Sequence, residues 1–110
     1  MTTREVLLAA AAEIERSGHH KHWFWRDSFE VGPCCAIGAI RRVVGDDYAT
    51  GVTHRTLDPA EAVGRWLRKN GHPGMNGALS VFNDDPDRTA DEVIDALQSC
   101  AADLRLRGEP

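Results

Sequence analysis

The sequence lacks any long apolar run. No stretch approaches the roughly 18 consecutive apolar residues that a membrane-spanning helix requires. Charged residues at Arg4, Glu5, Glu13 and Glu15 exclude a secretory signal at the start of the chain. We therefore expect no contact with a membrane and a cytoplasmic location.

Basic residues are also few. The 110-residue chain holds 13 Lys and Arg against 17 Asp and Glu, which gives a formal net charge of −4. Proteins that bind duplex nucleic acid usually have the opposite balance, because contacts with phosphates supply much of their affinity. We therefore predict no direct nucleic-acid partner.

Cysteine is scarce and poorly placed for disulfides. The three cysteines are an odd number, and two of them, Cys34 and Cys35, are neighbours in the chain. Adjacent cysteines rarely bridge each other, so the sequence predicts no disulfide framework. Reduced thiols are what a cytoplasmic protein normally contains.

Helix caps followed by helical periodicity dominate the rest of the sequence. Thr2 and Thr89 each precede a glutamate at capping-box spacing, and Gly-Pro and Asp-Pro pairs precede two other apolar stripes. The length suits a single domain over residues 1–110. We predict a mainly α fold of about four helices with short extended segments, the helices spanning residues 3–17, 33–44, 59–70 and 90–106.

Two segments do not follow a helical period. Residues 19–31 set Trp23, Trp25 and Phe29 among polar residues, which fits a short strand, a hairpin or an ordered loop. Residues 72–87 are rich in Gly, Pro, Asn and Asp and predict a long connection, with a short buried strand or turn at 79–82. Long connections in small domains are either functional or disordered.

Short motifs in two parts of the chain resemble a known group of proteins. They are Cys-Ala-Ile-Gly-Ala-Ile at 35–40, Phe-Asn-Asp at 82–84, Arg-Thr at 88–89 and Glu-Val-Ile at 92–94. This pattern, behind an alanine-rich first helix, resembles small uncharacterised proteins of actinobacteria and their phages, classed as a domain of unknown function. A tryptophan is usual there in place of Phe82. The resemblance implies no established activity, but it implies that Cys35, Asn83 and Asp84 form one constellation.

Cys35 is the candidate nucleophile because it lies where a helix is predicted to begin. The positive end of a helix dipole favours a thiolate. A thiol enzyme also needs a histidine base and an orienting Asn or Asp. The alternative function is therefore a thiol-dependent hydrolase or acyltransferase with Cys35 as nucleophile, His72 or His54 as base, and Asn83 or Asp84 as the third member.

The favoured interpretation of Cys35 is structural. Cysteine among Ala, Ile and Gly usually behaves as a small buried hydrophobe. We expect Cys35 to be buried and slow to react, and Cys34 to be more exposed because one residue rotates it by about 100° around a helix.

The sequence contains residues of the types that bind metal ions, but their spacing does not match that of known metal sites. The histidines at 19, 20 and 22 and the adjacent cysteines at 34 and 35 crowd together, unlike the spaced pairs of zinc sites. The acidic run at 83–87 lacks the spacing of a calcium loop and fits a turn before a helix. We predict no metal and no cofactor.

Four of the seven aromatic residues lie within residues 23–29. Such a cluster either packs into the core or forms a binding surface for a partner. We expect one of the two indoles to be buried and the other to be available. The candidate binding residues are Trp23, Trp25, His20, His22 and Arg26.

The function that these observations favour is a small cytoplasmic protein-interaction module whose partner is unidentified. If the phage association implied by the resemblance applies, the partner is a host protein. A homodimer is a further alternative.

Overall fold

Five α-helices account for most of the chain in the computed structural model, which describes residues 1–72 and 78–110. They are α1 Thr3–Ser17, α2 Ala36–Val44, α3 His54–Lys69, α4 Ala78–Asp84 and α5 Ala90–Leu106. The predicted mainly α fold is confirmed. No helix in the described part of the chain is long and apolar enough to cross a membrane.

The first and last helices begin at the predicted caps. In α1 the Thr2 hydroxyl accepts the Glu5 backbone N–H at 3.1 Å, and the Glu5 carboxylate accepts the Thr2 N–H at 2.8 Å. Thr89 and Glu92 make the same reciprocal pair at the start of α5. Each cap satisfies two backbone donors that a helix start leaves unpaired, and this fixes both boundaries.

The apolar stripes of the helices meet in one core. α1 packs against both α5 and α2, and α3 packs against α4. Ile40 and Leu97 are fully buried, as their spacing predicts. The predicted faces of α1 and α5 are also buried, through Val6, Leu7, Ala10, Ala11, Ile14, Val93, Leu97, Cys100, Ala101 and Leu104.

Helix α2 begins three residues later than predicted. Cys35 is its N-cap in an extended conformation. The Cys34 N–H donates to the Gly18 carbonyl at 3.1 Å, and the Cys35 N–H donates to the Phe24 carbonyl at 3.0 Å. The chain before α2 thus pairs with an earlier segment, and these tertiary hydrogen bonds outweigh the local helix-start signal of Gly32 and Pro33.

Helix α3 begins five residues earlier than predicted. Its N-cap is Thr53, and Pro59 lies inside the helix rather than at its first position. The buried Asp46 carboxylate accepts hydrogen bonds from the Thr53 N–H and hydroxyl and from the Thr56 hydroxyl. This buried carboxylate stabilises a helical turn before Asp58, so the Asp-Pro pair at 58–59 lies within α3 and does not mark its start.

Residues 79–82 form part of α4 rather than the predicted strand or turn. Leu79, Phe82 and Asn83 are buried and lie on one face, at the three- and four-residue spacing of a helix. Residues 73–77 of the predicted connection lie outside the described residues.

Candidate functional site

The segment of residues 19–31, here called the aromatic loop, is attached to the helices by hydrogen bonds at both of its ends. At its far end the guanidinium of Arg42 on α2 donates to the carbonyls of Ser28, Phe29, Val31 and Gly32 at 2.6–2.9 Å. The Arg42 side chain is only 6% exposed and also pairs with Glu13 on α1 at 3.2 Å. No sequence motif points to this role, because the partners of Arg42 are mainly backbone oxygens.

Asn83 attaches the near end of the aromatic loop to α4 and α2. Its Oδ1 accepts the Ala36 N–H at 3.0 Å and lies 2.7 Å from His19 Nε2. Its Nδ2 donates to the His20 carbonyl at 3.1 Å and to Asp84 Oδ1 at 2.9 Å. Asn83 is only 2% exposed, and its bonds connect three parts of the fold.

Asp84 and Lys21 add to this attachment. Asp84 Oδ1 accepts the His22 backbone N–H at 2.8 Å, and His22 adopts a left-handed conformation with φ of 75°. Lys21 Nζ donates to the carbonyls of Asp85 and Pro86, just after the end of α4. These bonds fix the backbone directly before Trp23.

The two tryptophans of the aromatic loop have opposite environments. Trp25 is 6% exposed and packs edge-on against Phe29 and Tyr48, with ring centroids 5.3 and 4.9 Å away. Its Nε1–H donates to the Gly38 carbonyl at 3.3 Å. Trp23 is 73% exposed. Of the two indoles in this loop, one is therefore buried and the other is exposed to solvent.

Gly38 makes the contact between the aromatic loop and α2 possible. A Cβ atom at this position would lie 2.1 Å from the Phe24 carbonyl oxygen, far inside van der Waals contact. Residue 38 therefore cannot carry a side chain, because the backbone of the aromatic loop crosses α2 at this point. This requirement accounts for the glycine in the 35–40 motif.

A pocket of about 240 Å³ lies beside Trp23. We call it the Trp23 pocket. The aromatic loop, α4 and the start of α2 each contribute to its walls. The lining residues are His22, Trp23, Phe24, Cys35, Ile37, Ser80, Asn83 and Asp84.

The thiol of Cys35 lies at this pocket but is only 8% exposed. Its Sγ accepts the Gly38 N–H at 3.3 Å. Burial raises the pKa of Cys35, the backbone hydrogen bonds at the helix start oppose that rise, and the Asp84 charge adds to it. The helix start therefore does not produce the thiolate that the sequence suggested, because desolvation of the thiol is the larger effect.

Cys34 is fully buried, so the prediction that it is the more exposed thiol is wrong. The reason is its backbone, which pairs in extended form with the aromatic loop instead of turning around a helix. Burial raises the pKa of Cys34 to about 12.

A family model matches residues 1–103 of the chain, and its description is "Family of unknown function (DUF6197)". The chain belongs to this family. No curated protein and no solved structure matches it. The DUF6197 description names neither an organism nor an activity, so a source among actinobacteria or their phages stays a prediction.

In this DUF6197 chain the constellation of Cys35, Asn83 and Asp84 comes together at the Trp23 pocket. His72 does not line that pocket. Its ring packs edge-on against Phe82 with a centroid distance of 5.0 Å, at a separate pocket. The histidine that lines the Trp23 pocket is His22.

The remaining predicted site residues lie at the start of α3 or in the aromatic loop. His54 is at the start of α3 and lines another pocket. The backbone of His20 pairs with Cys34, while the exposed Arg26 side chain pairs with Asp27 at 3.3 Å. Within residues 1–72 and 78–110, no three His, Cys, Asp or Glu side chains are grouped so that they could hold a metal ion.

Proposed function

We propose that this protein is a protein-interaction module that binds its partner through Trp23 and the Trp23 pocket. The observation that carries the proposal is the 73% exposure of the Trp23 indole, two residues from the fully packed Trp25. Large exposed aromatic side chains next to a pocket are typical of the residues that dominate binding energy in protein interfaces.

The attachment of the aromatic loop supports this proposal. Asn83, Asp84 and Arg42 hold the backbone on both sides of Trp23. A side chain that is already positioned loses less conformational freedom on binding than one on an unattached loop. Phe24, which is 38% exposed, extends the apolar surface from the indole into the pocket.

The partner that we propose is another protein in the cytoplasm. For a copy encoded by a phage, as the resemblance of the motifs implies, this partner is a host protein. A second copy of the chain would use the same surface in both subunits, and size-exclusion chromatography of the wild type distinguishes this case.

The experiment that tests the proposal compares two alanine variants on an affinity matrix loaded with cell lysate. Trp23→Ala removes the exposed indole, and Leu106→Ala removes another exposed apolar side chain, 86% exposed, at the end of α5. We expect Trp23→Ala to reduce partner retention by at least about tenfold and Leu106→Ala to leave it unchanged. Equal retention by wild type and Trp23→Ala, with circular dichroism showing both folded, would reject the proposal.

The alternative function, a thiol-dependent hydrolase or acyltransferase that uses Cys35, has weaker support. Burial raises the pKa of the Cys35 thiol. Both polar atoms of the Asn83 side chain are engaged in bonds that hold the fold together. His22, rather than His72, would have to act as the base.

Labelling with iodoacetamide at pH 7.5 tests this alternative. We expect Cys35 to label slowly in the native protein, and Cys34 and Cys100 to label only after unfolding, because both are no more than 1% exposed. The guanidinium-unfolded chain is the control for intrinsic reactivity. Rapid labelling of native Cys35 below pH 7, located by mass spectrometry, would support the enzyme.

A further inference from the structure

The Trp23 pocket has a single carboxylate in its lining. Asp84 is the acid, and apart from His22 the other lining side chains are apolar or neutral. The Asp84 side chain is 30% exposed, so a ligand in the pocket can reach it. A charge beside an apolar wall is only partly solvated and interacts with an opposite charge more strongly than it would in open water.

The two oxygens of Asp84 are not equivalent. Oδ1 accepts the His22 N–H at 2.8 Å and the Asn83 amide at 2.9 Å. Oδ2 has no hydrogen bond in the described structure, and His22 Nδ1 lies 3.7 Å from it. One oxygen therefore positions the carboxylate, and the other is open to a ligand.

The cationic side chains of the aromatic loop and of the turn after α4 are engaged elsewhere. Lys21 donates to carbonyls after α4, and Arg26 pairs with Asp27. The Arg88 guanidinium lies 3.7 Å from the centre of the Phe82 ring. No lysine or arginine in residues 1–72 and 78–110 forms an ion pair with Asp84, and the ionisable side chain of His22 lies beside it at 3.7 Å. Asp84 is therefore not neutralised by a permanently charged group of the described chain, and a cation from outside can pair with it.

We propose that the Trp23 pocket binds a lysine side chain of the partner protein, an inference that rests on the proposed function. The methylene stem would lie against Phe24 and Ile37, and the ammonium group would contact Asp84 Oδ2 and the Trp23 ring. The indole is the most favourable aromatic ring for a cation. Lysine side chains combine such an apolar stem with a charged end.

The geometry of Asp84 favours lysine over arginine. A guanidinium binds a carboxylate best through two parallel hydrogen bonds, one to each oxygen. Here Oδ1 is already used by His22 and Asn83, so only a one-point contact remains. An ammonium group acts as a point charge and needs only one carboxylate oxygen, so its binding is not weakened when Oδ1 is already used.

The test titrates the ¹⁵N-labelled protein at pH 7.5 with the peptide Ac-Ala-Lys-Ala-NH₂ and follows the Trp23 indole resonance. Matched peptides carry norleucine or arginine in place of lysine. We expect the lysine peptide to bind about tenfold more tightly than the norleucine peptide. Asp84→Asn keeps the acceptor for His22 but removes the charge, and should abolish this preference, whereas Asp85→Asn should not.

Each other outcome overturns the inference. Equal binding of the lysine and norleucine peptides, or a preference that survives in Asp84→Asn, would show that the carboxylate does not select the ligand. An arginine peptide that binds as tightly as the lysine peptide would overturn the choice of lysine. If no peptide shifts the Trp23 resonance, the inference fails, while the lysate comparison of Trp23→Ala with wild type still decides the proposed function separately.

Discussion

At the scale of single residues, Asn83 shows how a motif with a catalytic appearance can have a structural role. An amide next to an acid and near a thiol fits a nucleophilic site. In the structure the amide instead satisfies the Ala36 N–H at the start of α2 and the His20 carbonyl of the aromatic loop. Both are backbone groups that would be costly to leave unpaired inside the protein.

Replacing Asn83 with leucine should therefore destabilise the fold. We expect Asn83→Leu to lower the free energy of unfolding by about 2 to 4 kcal/mol, because several buried polar groups lose their partner. Ser80→Ala, a change on the same helix and in the same pocket, should stay within about 0.5 kcal/mol. Urea denaturation measures both, and equal stability of the two variants would contradict the role assigned to Asn83.

The resemblance grouped part of the candidate site, but the histidine proposed with it lies elsewhere. The resemblance placed Cys35, Asn83 and Asp84 in one constellation, and all three line the Trp23 pocket. The exclusion of His72 and the presence of His22 depend on how the aromatic loop folds back onto α4. That arrangement comes from tertiary hydrogen bonds such as the one between Asp84 and the His22 N–H, which no local spacing encodes.

At the scale of helices, boundaries set by local caps were predictable and boundaries set by tertiary contacts were not. Thr2 and Thr89 bind residues three positions away, so the starts of α1 and α5 could be read from the sequence. The start of α3 depends on the buried carboxylate of Asp46, seven residues before Thr53. Helix α4 has only seven residues, and its apolar face is too short to show a helical period.

The aromatic loop has no regular secondary structure. The guanidinium of Arg42 holds it by donating hydrogen bonds to its backbone carbonyls. We expect Arg42→Met to lower the free energy of unfolding by about 2 to 4 kcal/mol, because three carbonyls of the aromatic loop, the Gly32 carbonyl and Glu13 lose a charged donor. Arg16, which also pairs with Glu13 but is 68% exposed, provides the matched control.

Arg16→Met should change stability by less than about 1 kcal/mol, because exposed ion pairs contribute little. Thermal melting followed by circular dichroism distinguishes the two arginines. If Arg42→Met were no more destabilising than Arg16→Met, the aromatic loop would have to be held by other contacts.

At the scale of the whole molecule, Asp46 links stability to pH. Burial opposes ionisation of this carboxylate, but hydrogen bonds from Thr56 and Thr53 and the charge of Arg55 outweigh it and lower the pKa of Asp46 to about 2. The ordinary pKa of an aspartate is about 3.9. The resulting stability is therefore fully present above about pH 5 and is lost as the pH falls from there towards 2.

Thr56→Val removes the hydroxyl that donates to Asp46 at 2.7 Å and should reduce this acid sensitivity. We expect the variant to be less stable than wild type at pH 7 and to lose less free energy of unfolding between pH 5 and pH 2.5. Denaturant titrations at a series of pH values measure the slope. Parallel stability curves for wild type and Thr56→Val would contradict the linkage.

The central claim is that Trp25 packs into the core and Trp23 stays at the surface, where we propose that it binds a partner. Iodide quenching of tryptophan fluorescence tests this most directly, because iodide reaches only exposed indoles. Trp66, which is half-buried, is the third tryptophan and supplies a common background in all variants. We predict that Trp23→Phe removes most of the quenchable fluorescence and that Trp25→Phe removes almost none. Equal loss of quenching in the two variants would contradict the account.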